Sequence, residues 1–416
     1  MESKELYRHL LGINEPWTVE RVDLDMMRGH VDVYVGHAKG VRFACPDCGL
    51  ELAAYDHSAK RTWRHLDSCQ FMTYLHASPP RVSCPEHGVR QVRLPWAEAG
   101  SRFTHLFEAL AINVLLAANI ERAAGLLRIS WDQAWHLMER AVLRGRATKG
   151  DTLPKQIGVD EKAIAKGHQY MTLVCDLKEA TVEYIGDDRK EESLAAYFKA
   201  FGTERCAEIE AISLDMWPAF INACQANVPG AEGKMVFDRF HIMQHVSKGV
   251  DRVRKQEHKA LIAEGDNTLL RSKYLWLYSE ENIPAKAREH FDQIMMGNLK
   301  TGRAWALKES LRKLWSYNSL GWAKRFWQRW YFWATHSRLQ PMIDTAKLIA
   351  RHLPNVLTYF KHRITNAVAE GLNSKIATIQ KRACGFRNRD NFKIAVYFHC
   401  GGLNLYPAQV THGKVR

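Results

Sequence analysis

The stretch Gln156-Ile-Gly-Val-Asp-Glu161 is a short apolar run that ends in two acids, and it opens the part of the chain that decides the fold. Two further runs, residues 168–177 and 180–185, have the composition of β-strands. We expect the three runs to form an antiparallel meander. The pattern then predicts a helix, a strand, a second helix and a last strand over residues 189–203, 211–215, 217–224 and 234–238.

This order of elements, three strands, helix, strand, helix, strand, is that of the RNase H fold, in the mixed α/β class. Acids stand on the first strand (Asp160) and at the ends of the fourth (Asp215) and the fifth (Asp238). Carboxylates at such strand ends project into one pocket, and hard divalent cations take oxygen ligands. We predict a site for two Mg²⁺ ions, which Mn²⁺ can replace: one activates the attacking water or 3′-hydroxyl, and the other stabilises the leaving oxygen.

A further acid comes late in the chain. Residues 366–376 predict a helix whose apolar side chains, including Leu372 and Ile376, face a core. Glu370 lies on the other face together with Asn366 and Asn373. A single glutamate on a helix is usually solvated, but the polar and basic residues beside it and the preceding strands favour Glu370 as a third metal ligand. Asn373, Lys375, Lys381 and Arg382 are the DNA contacts that we expect around it.

Two short motifs near the N-terminus predict a zinc site. Cys45-Pro-Asp-Cys48-Gly offers two thiolates spaced by two residues, which can grip one tetrahedral ion. Cys84-Pro-Glu-His87-Gly repeats the pattern with His in place of the second Cys. We therefore predict a structural Zn²⁺ held by Cys45, Cys48, Cys84 and His87.

The segment between the two motifs leaves alternatives open. His57, His65 and Cys69 are potential substitute ligands, although an ordinary loop or strand role is the simpler interpretation of each. Residues 60–65 are basic with one Trp among them. They fit either a strand that touches the DNA backbone or a solvated sheet edge.

Residues 101–146 predict a helix-turn-helix. One amphipathic helix covers 104–119 and a short one 121–127, and Ser130 with Gln133 forms a capping box that opens a third helix. Polar and basic residues on the outer face of that third helix suit a recognition helix in the major groove. The alternative is a plain helical hairpin with a solvated face. The predicted DNA contacts are Gln133, His136, Arg140 and Arg144.

The charge balance points to a polyanionic partner. The 416 residues contain 59 Lys and Arg against 45 Asp and Glu, a formal charge of +14. This excess favours nucleic acid first and an acidic membrane face second, or it marks a merely soluble cationic protein. Residues 1–10 mix acids and bases, unlike a signal peptide, and the longest apolar stretch, 106–120, is too short to span a bilayer. Nine scattered cysteines do not form a disulfide framework, so we expect reduced thiols in a cytoplasmic protein that is not associated with a membrane.

A long insertion separates Asp215 from Glu370. Its pattern is helical between about residues 246 and 362. Between Arg303 and Trp333 there are seven Lys or Arg, one acid and six of the thirteen Trp. Such a segment can stack on flipped bases while it neutralises phosphates, or it can be a helical bundle with a Trp-rich core and a cationic surface. Residues 361–393 contain eight Lys or Arg against Glu370 and Asp390, which predicts a track for phosphates.

The motifs Gly158-Val-Asp160, Ser213-Leu-Asp215, Phe237-Asp238-Arg-Phe-His241 and Asn366-Ala-Val-Ala-Glu370 occur in this order. With them the chain resembles the DDE transposases of bacterial insertion sequences, most of all the type called L-three. The resemblance implies that Asp160, Asp215 and Glu370 match the catalytic triad, and that Asp238 and His241 match an accessory Asp-x-x-His signature. Many DDE enzymes carry Lys or Arg seven residues after the Glu, where this chain has Ala377, so Lys375 or Lys381 is the expected replacement.

The activity that the resemblance implies is DNA transposition. The protein would bind terminal inverted repeats and target DNA, hydrolyse phosphodiesters, and transfer strands through a 3′-hydroxyl without a covalent enzyme intermediate. Two ends must be held together, so a homodimer or higher oligomer is expected. The rival interpretations are a nuclease of the same fold without strand transfer, and a DNA-binding regulator without catalysis.

The expected organisation is a linear series of modules. It consists of a zinc ribbon (1–100), a helix-turn-helix (101–150), the first part of an RNase H-like core (151–245), an all-α insertion (246–362), and the rest of the core with the Glu370 helix and a tail (363–416).

Overall fold

A computed structural model describes residues 2–150, 152–165 and 169–408. The chain forms two compact units. The first, the N-terminal unit, contains Met1–Gly150 together with Ile379–His399 and Leu403–Arg416; the second, the RNase H unit, contains Asp151–Thr378 and Cys400–Gly402. No helix in the described ranges is both long and apolar enough to cross a membrane.

The N-terminal unit begins with two four-stranded sheets. Strands β3, β4, β7 and β8 form one sheet in that order and carry the cysteine motifs, as expected of a zinc ribbon. The other sheet, in the order β1-β2-β6-β5, was not predicted. It buries alternate residues of β2, among them Val31, Val33 and Val35. The elements are α1 (Ser3–Leu10), β1 (Trp17–Asp25), β2 (His30–His37), β3 (Arg42–Ala44), β4 (Glu51–His57), β5 (Arg61–Arg64), β6 (Met72–Ala77), β7 (Pro80–Cys84) and β8 (Gly88–Gln91).

Three helices follow: α2 (His105–Ala117), α3 (Ile120–Leu127) and α4 (Trp131–Lys149). The predicted capping box is present, because the Gln133 backbone N–H donates to the Ser130 hydroxyl and the Ser130 N–H donates to the Gln133 side chain. Helix α4 continues past residue 144, where we expected it to end, and reaches Lys149 before Gly150.

Helix α17 (Arg389–Cys400) and the segment after it pack in the N-terminal unit, not with the core as the boundary 363–416 predicts. The Arg146 guanidinium lies 4.7 Å from the centre of the Tyr397 ring. A Cβ atom on Gly145 would come within 2.7 Å of the Leu403 Cβ, so the tail lies directly on α4. These contacts explain why Ile379–His399 groups with the first 150 residues.

The RNase H unit contains one five-stranded sheet in the order β11-β10-β9-β12-β13. Strands β9, β10 and β11 are antiparallel neighbours, and β12 runs parallel to both β9 and β13. This is the predicted RNase H-like arrangement; His168, at the start of one predicted run, lies outside the described residues. The elements are β9 (Gln156–Ala165), β10 (Gln169–Asp176), β11 (Thr181–Gly186), α5 (Glu191–Phe201), α6 (Thr203–Cys206), β12 (Ala211–Leu214), α7 (Pro218–Asn227) and β13 (Met235–Phe237).

The insertion is helical, as predicted, but its core is continuous with that of the sheet. Trp276, Trp305, Trp327 and Trp330 are buried within it, and the Trp330 Nε1–H donates to the Leu307 carbonyl at 2.8 Å. Most of its Trp residues therefore build a core. The helices are α8 (Arg239–Ala263), α9 (Lys273–Leu277), α10 (Ala285–Met296), α11 (Lys300–Arg312), α12 (Leu320–Thr335), α13 (Gln340–Arg351), α14 (Leu353–Leu357), α15 (Tyr359–His362) and α16 (Ala367–Arg382).

Candidate active site and zinc centre

The first two acids lie side by side on neighbouring parallel strands. Gly158 of β9 is in register with Ser213 of β12, so two residues later Asp160 lies beside Asp215. Oδ1 of each carboxylate accepts the backbone N–H of the following residue, at 2.8 Å for Asp160 and 2.6 Å for Asp215. These bonds fix the orientation of both side chains.

The start of α16, the helix that carries Glu370, lies against β9. A Cβ atom on Gly158 would come within 2.9 Å of the Asn366 Oδ1 and 2.7 Å of the Leu177 Cδ2. The helix thereby presents Asn373, whose Nδ2 donates to the Asp160 Oδ2 at 2.6 Å. Asn366 itself is fully buried, so our expectation that it shares the outer face with Glu370 is wrong: it precedes the helix and packs against Gly158.

Asp238 and His241 belong to the start of α8. The Asp238 carboxylate is buried and caps this helix by accepting the Phe240 backbone N–H at 3.1 Å. It also accepts the Asn366 N–H at 3.4 Å, which ties α8 to the start of α16. The cap leaves His241 in the first turn, where its Nδ1 lies 3.5 Å from the Asp215 Oδ2.

The electrostatics show that the acids share one environment. Burial raises the pKa of the Asp160 carboxyl to about 6, against the opposing effects of the Glu161 N–H, His241 and Asn373. Burial also raises the pKa of Glu370, reinforced by the negative charge of Asp238 and opposed by His241. His241 therefore acts on Asp160 and Glu370 as well as on Asp215. The negative charges of these carboxylates are only partly balanced by neighbouring positive groups. Such a group of acids suits a divalent cation.

The acids are spread more widely than the ligands of one ion. Within the described ranges, the oxygens of Asp160, Asp215 and Glu370 do not all come within 4.8 Å of one another. A site for two ions about 3.5–4 Å apart needs carboxylates on both sides of the ion pair. Its ligands are therefore spread more widely than those of a single ion. The donor chemistry of the pocket, three carboxylates with one carboxamide, fits Mg²⁺ or Mn²⁺.

The zinc ligands, in contrast, converge on one point. One ligand atom from each of Cys45, Cys48, Cys84 and His87 lies within 4.8 Å of every other. The Cys48 and Cys84 sulfurs are 3.6 Å apart, and the His87 Nδ1 is 3.5 Å from the Cys84 sulfur and 4.0 Å from the Cys45 sulfur. Tetrahedral zinc requires separations of about 3.5–3.8 Å. The His87 ring also lowers the pKa of the Cys84 thiol to about 6, which favours the thiolate that binds metal.

The alternative ligands stay outside this cluster. His57 stacks on His37, with the two Nε2 atoms 2.8 Å apart. His65 is buried, and its Nδ1 lies 2.8 Å from the Thr104 hydroxyl. Cys69 is exposed. The simpler interpretation of each residue is therefore the right one.

Comparison with known proteins identifies the family of the chain. A family model described as a transposase, of the DDE type from the ISL3 family, matches residues 157–396, more than half of the chain. The chain belongs to the ISL3 transposase family. A model for the zinc finger of the transposases of IS204, IS1001, IS1096 and IS1165 matches residues 42–87, and a model for the helix-turn-helix domain of ISL3 transposases matches residues 92–142.

Curated relatives are similar over almost their whole length. The transposase of insertion sequence element IS1001 from Bordetella parapertussis is 26% identical over 93% of this chain and 96% of its own. The transposase of IS1557 from Mycobacterium tuberculosis (strain CDC 1551 / Oshkosh) is 26% identical over 93% of each chain. Our chain is thus a DNA transposase with the predicted order of zinc ribbon, helix-turn-helix and catalytic domain.

The recognition helix of this transposase differs from our expectation. Arg140 and Arg144 do not lie on an outer face. The Arg144 guanidinium is 2.7 Å from the buried Glu108 of α2 and 2.7 Å from Glu98, and Arg140 pairs with the same two acids. Charge pairing inside the unit therefore directs them inward. Gln133 is engaged in the capping box, and His136 is exposed on α4.

The predicted DNA contacts on α16 divide into two groups. Asn373 is occupied by Asp160, which makes it part of the acidic site and not an outward contact. Lys375, Lys381 and Arg382 are exposed, as a DNA contact requires. We missed Lys162, whose Nζ donates to the Asn373 carbonyl at 3.0 Å. It lies two residues after Asp160 and hence on the same face of β9, and this spacing was the available signal.

Proposed function

We propose that this transposase binds the terminal inverted repeats of a mobile element, cleaves the ends with two Mg²⁺ ions held by Asp160, Asp215 and Glu370, and joins them to target DNA. The observation that supports this most is the packing of α16 on β9 at Gly158. The pKa of Glu370 responds to the charges of Asp238 and His241, and His241 also lies 3.5 Å from Asp215, which supports Glu370 as a ligand at the same site.

The side chains around the acids have separable roles in the proposed reaction. When bound, the metal ions supply nucleophile activation and stabilise the leaving oxygen of the phosphodiester. Asn373 orients the Asp160 carboxylate through its 2.6 Å hydrogen bond. The Nδ1 of His241 faces the Oδ2 of Asp215. Asp238 positions His241 by capping α8.

DNA recognition in this proposal is shared among the modules. The zinc centre is structural and holds the ribbon, while the exposed N-terminal part of α4, including His136, enters the major groove. Lys375, Lys381 and Arg382 contact phosphates. Two ends must be cut and joined together, so we propose that the active form is a dimer or a higher oligomer.

Cleavage of a labelled transposon-end duplex in Mg²⁺ tests the proposal. Asp215→Asn should bind the duplex like the wild type but cut it at least 10³-fold more slowly, because it removes a metal ligand. The matched control is Asp176→Asn, at the end of β10, where the carboxylate only caps a turn by accepting the Lys178 and Glu179 N–H groups. Cleavage by Asp215→Asn at the wild-type rate would overturn the assignment of this residue.

Strand transfer separates the proposal from the nuclease alternative. Pre-cleaved ends with a free 3′-hydroxyl should be joined to a plasmid by the wild type and not by Asp215→Asn. Cutting without joining would make the chain a nuclease. Binding without cutting, by the wild type on an authentic end, would favour the regulator.

A further inference from the structure

Helix α12 carries an exposed aromatic and basic surface, which we call the α12 ridge: Trp322, Arg325, Arg329, Phe332 and Trp333. The spacing of three or four residues places these side chains along one face of the helix. The exposed fractions of the three aromatic residues are 56% for Trp322, 64% for Phe332 and 44% for Trp333. An exposed row of large aromatic side chains marks an interaction surface.

The fold of the insertion does not need this ridge. The opposite face of α12 already buries Ala323, Trp327, Trp330 and Ala334 in the core. The rings on the outside are instead arranged for stacking. The Arg325 guanidinium lies 5.0 Å from the centre of the Trp322 ring, and Phe332 stacks on His336 with ring centres 4.0 Å apart.

The charge of the ridge selects the class of partner. Residues 310–343 contain six Lys or Arg and no Asp or Glu. Among the described residues, Arg325 and Arg329 have no carboxylate partner, whereas Arg312, just before the ridge, is paired with Glu281 and Glu309. A second copy of this chain would oppose basic residues to basic residues. A polyanion would neutralise them.

We propose that the α12 ridge binds single-stranded DNA, with unpaired bases stacked on Trp322, Phe332 and Trp333 and phosphates paired with Arg325 and Arg329. Paired bases are stacked inside a duplex and cannot reach the rings, whereas every unpaired base offers a face to an aromatic side chain. The inference rests on the proposed function, since strand cleavage at an element end leaves a free strand end that can separate from its complement. The α12 ridge would add a DNA contact that does not depend on the base sequence.

Photo-crosslinking tests the location of the contact. Full-length protein is irradiated with a single-stranded oligothymidylate of roughly 16 nucleotides that contains 5-iododeoxyuridine, and the attached peptides are identified by mass spectrometry. We expect attachment to the peptides that carry Trp322, Phe332 or Trp333. Attachment only to α4 or α16 peptides would overturn the proposal.

Fluorescence anisotropy with the same oligonucleotide measures the affinity of the protein for single-stranded DNA. The double variant Trp322→Ala with Phe332→Ala should bind at least tenfold more weakly, since each stacked base contributes substantially to affinity. The matched control is Tyr274→Ala, an equally exposed aromatic residue (67%) on α9 of the same insertion, and it should bind like the wild type. Equal losses in both variants, or none in the double variant, would contradict the proposal.

Two further measurements keep this inference separate from the proposed function. Asp215→Asn should retain single-strand binding, so a failure of cleavage would leave the ridge intact. A change in the oligomeric mass of the double variant by light scattering, with unchanged DNA binding, would instead make the ridge a protein interface and refute the proposal.

Discussion

The zinc centre and the acidic site both gather metal-ligating side chains, but they are built in different ways. The four zinc ligands come from two short loops of one ribbon, and their donor atoms all lie within 4.8 Å. The predicted acids come from β9, from the residue after β12 and from α16, and in the described part of the chain their oxygens do not all lie within 4.8 Å of one another. A closed site of this kind suits a structural ion, whereas a wide site leaves coordination positions for a substrate.

Substitution of one ligand at each metal site should have the largest effects, on folding at one site and on catalysis at the other. Cys84→Ser should destabilise the N-terminal unit strongly, because zinc in small ribbons contributes on the order of 10 kcal/mol to folding. DNA binding should be lost with it, while the sheet of the RNase H unit keeps its protection from hydrogen exchange. Asp160→Asn should leave both units folded and abolish cleavage. If the Cys84→Ser protein folds and binds DNA, the zinc centre is not a structural site of the kind described.

Gly158→Ala tests the packing that assembles the open site. The added methyl group would overlap the ends of the Leu177 and Asn366 side chains, and a rearrangement of the buried Asn366, which directly precedes α16, would disturb the start of the helix that carries Glu370. We expect cleavage to fall by about 10²-fold or more, because a displacement of about 1 Å is enough for such a loss. Zinc content should not change.

The matched control for that variant is Gly371→Ala, on α16 next to Glu370. A Cβ atom there meets nothing within 4 Å, and alanine stabilises a helix interior by up to about 1 kcal/mol relative to glycine. Gly371→Ala should therefore keep its activity and unfold at a slightly higher temperature. Equal cleavage by the two variants would show that the approach at Gly158 does not matter.

The sequence predicted local features well because they depend on neighbours in the chain. A Cys-x-x-Cys motif, a capping box such as Ser130 with Gln133, and the alternation along β9 are all determined within a few residues. These features, and the order of strands and helices, were sufficient to predict the RNase H fold. The candidate triad depended in addition on the family resemblance.

What depends on tertiary partners could not be predicted in the same way. Arg140 and Arg144 point toward Glu98 and Glu108, and the pairing is decided by how α2 packs on α4. The second sheet of the N-terminal unit places β2 beside β6, about forty residues later, through a parallel pairing with no local signal. Asn366 is buried for the same kind of reason, since only the packing of α16 on β9 covers it.

Asn373→Ala probes how firmly the open site is held. The loss of its carboxamide frees one oxygen of Asp160 and removes one of the links between α16 and β9, so we expect cleavage to fall by about 10- to 100-fold. As a positioning residue, Asn373 should act through the metal, and higher Mg²⁺ concentrations should restore part of the rate. Ser374→Ala, whose hydroxyl bonds only to the Glu370 carbonyl of its own helix, is the control. An equal loss at every Mg²⁺ concentration would argue against this role.

Acidification should reduce the stability of the two units to different extents. Burial lowers the pKa of His65 to about 4, from about 6.5 in an unfolded chain, so between these values the unfolded state binds more protons and stability falls with falling pH. Asp160 behaves in the opposite way: its pKa is raised to about 6, and protonation below that value favours the folded state. Burial also lowers the pKa of His245 and His352 in the RNase H unit, which opposes the effect of Asp160, so we expect the N-terminal unit to lose more stability than the RNase H unit between pH 6.5 and pH 4.

The His65→Asn variant isolates this effect from the pH dependence of zinc binding. Asparagine cannot be protonated, and its side chain can still bond to the Thr104 hydroxyl, which lies 2.8 Å from the His65 Nδ1. At pH 5 the wild-type unit should have lost about 1–2 kcal/mol more stability, relative to pH 7, than the variant has lost. Hydrogen exchange of the β5 and β6 peptides at the two pH values measures the difference. Zinc release affects both proteins alike, so parallel losses would mean that the ribbon, and not His65, sets the acid sensitivity of the N-terminal unit.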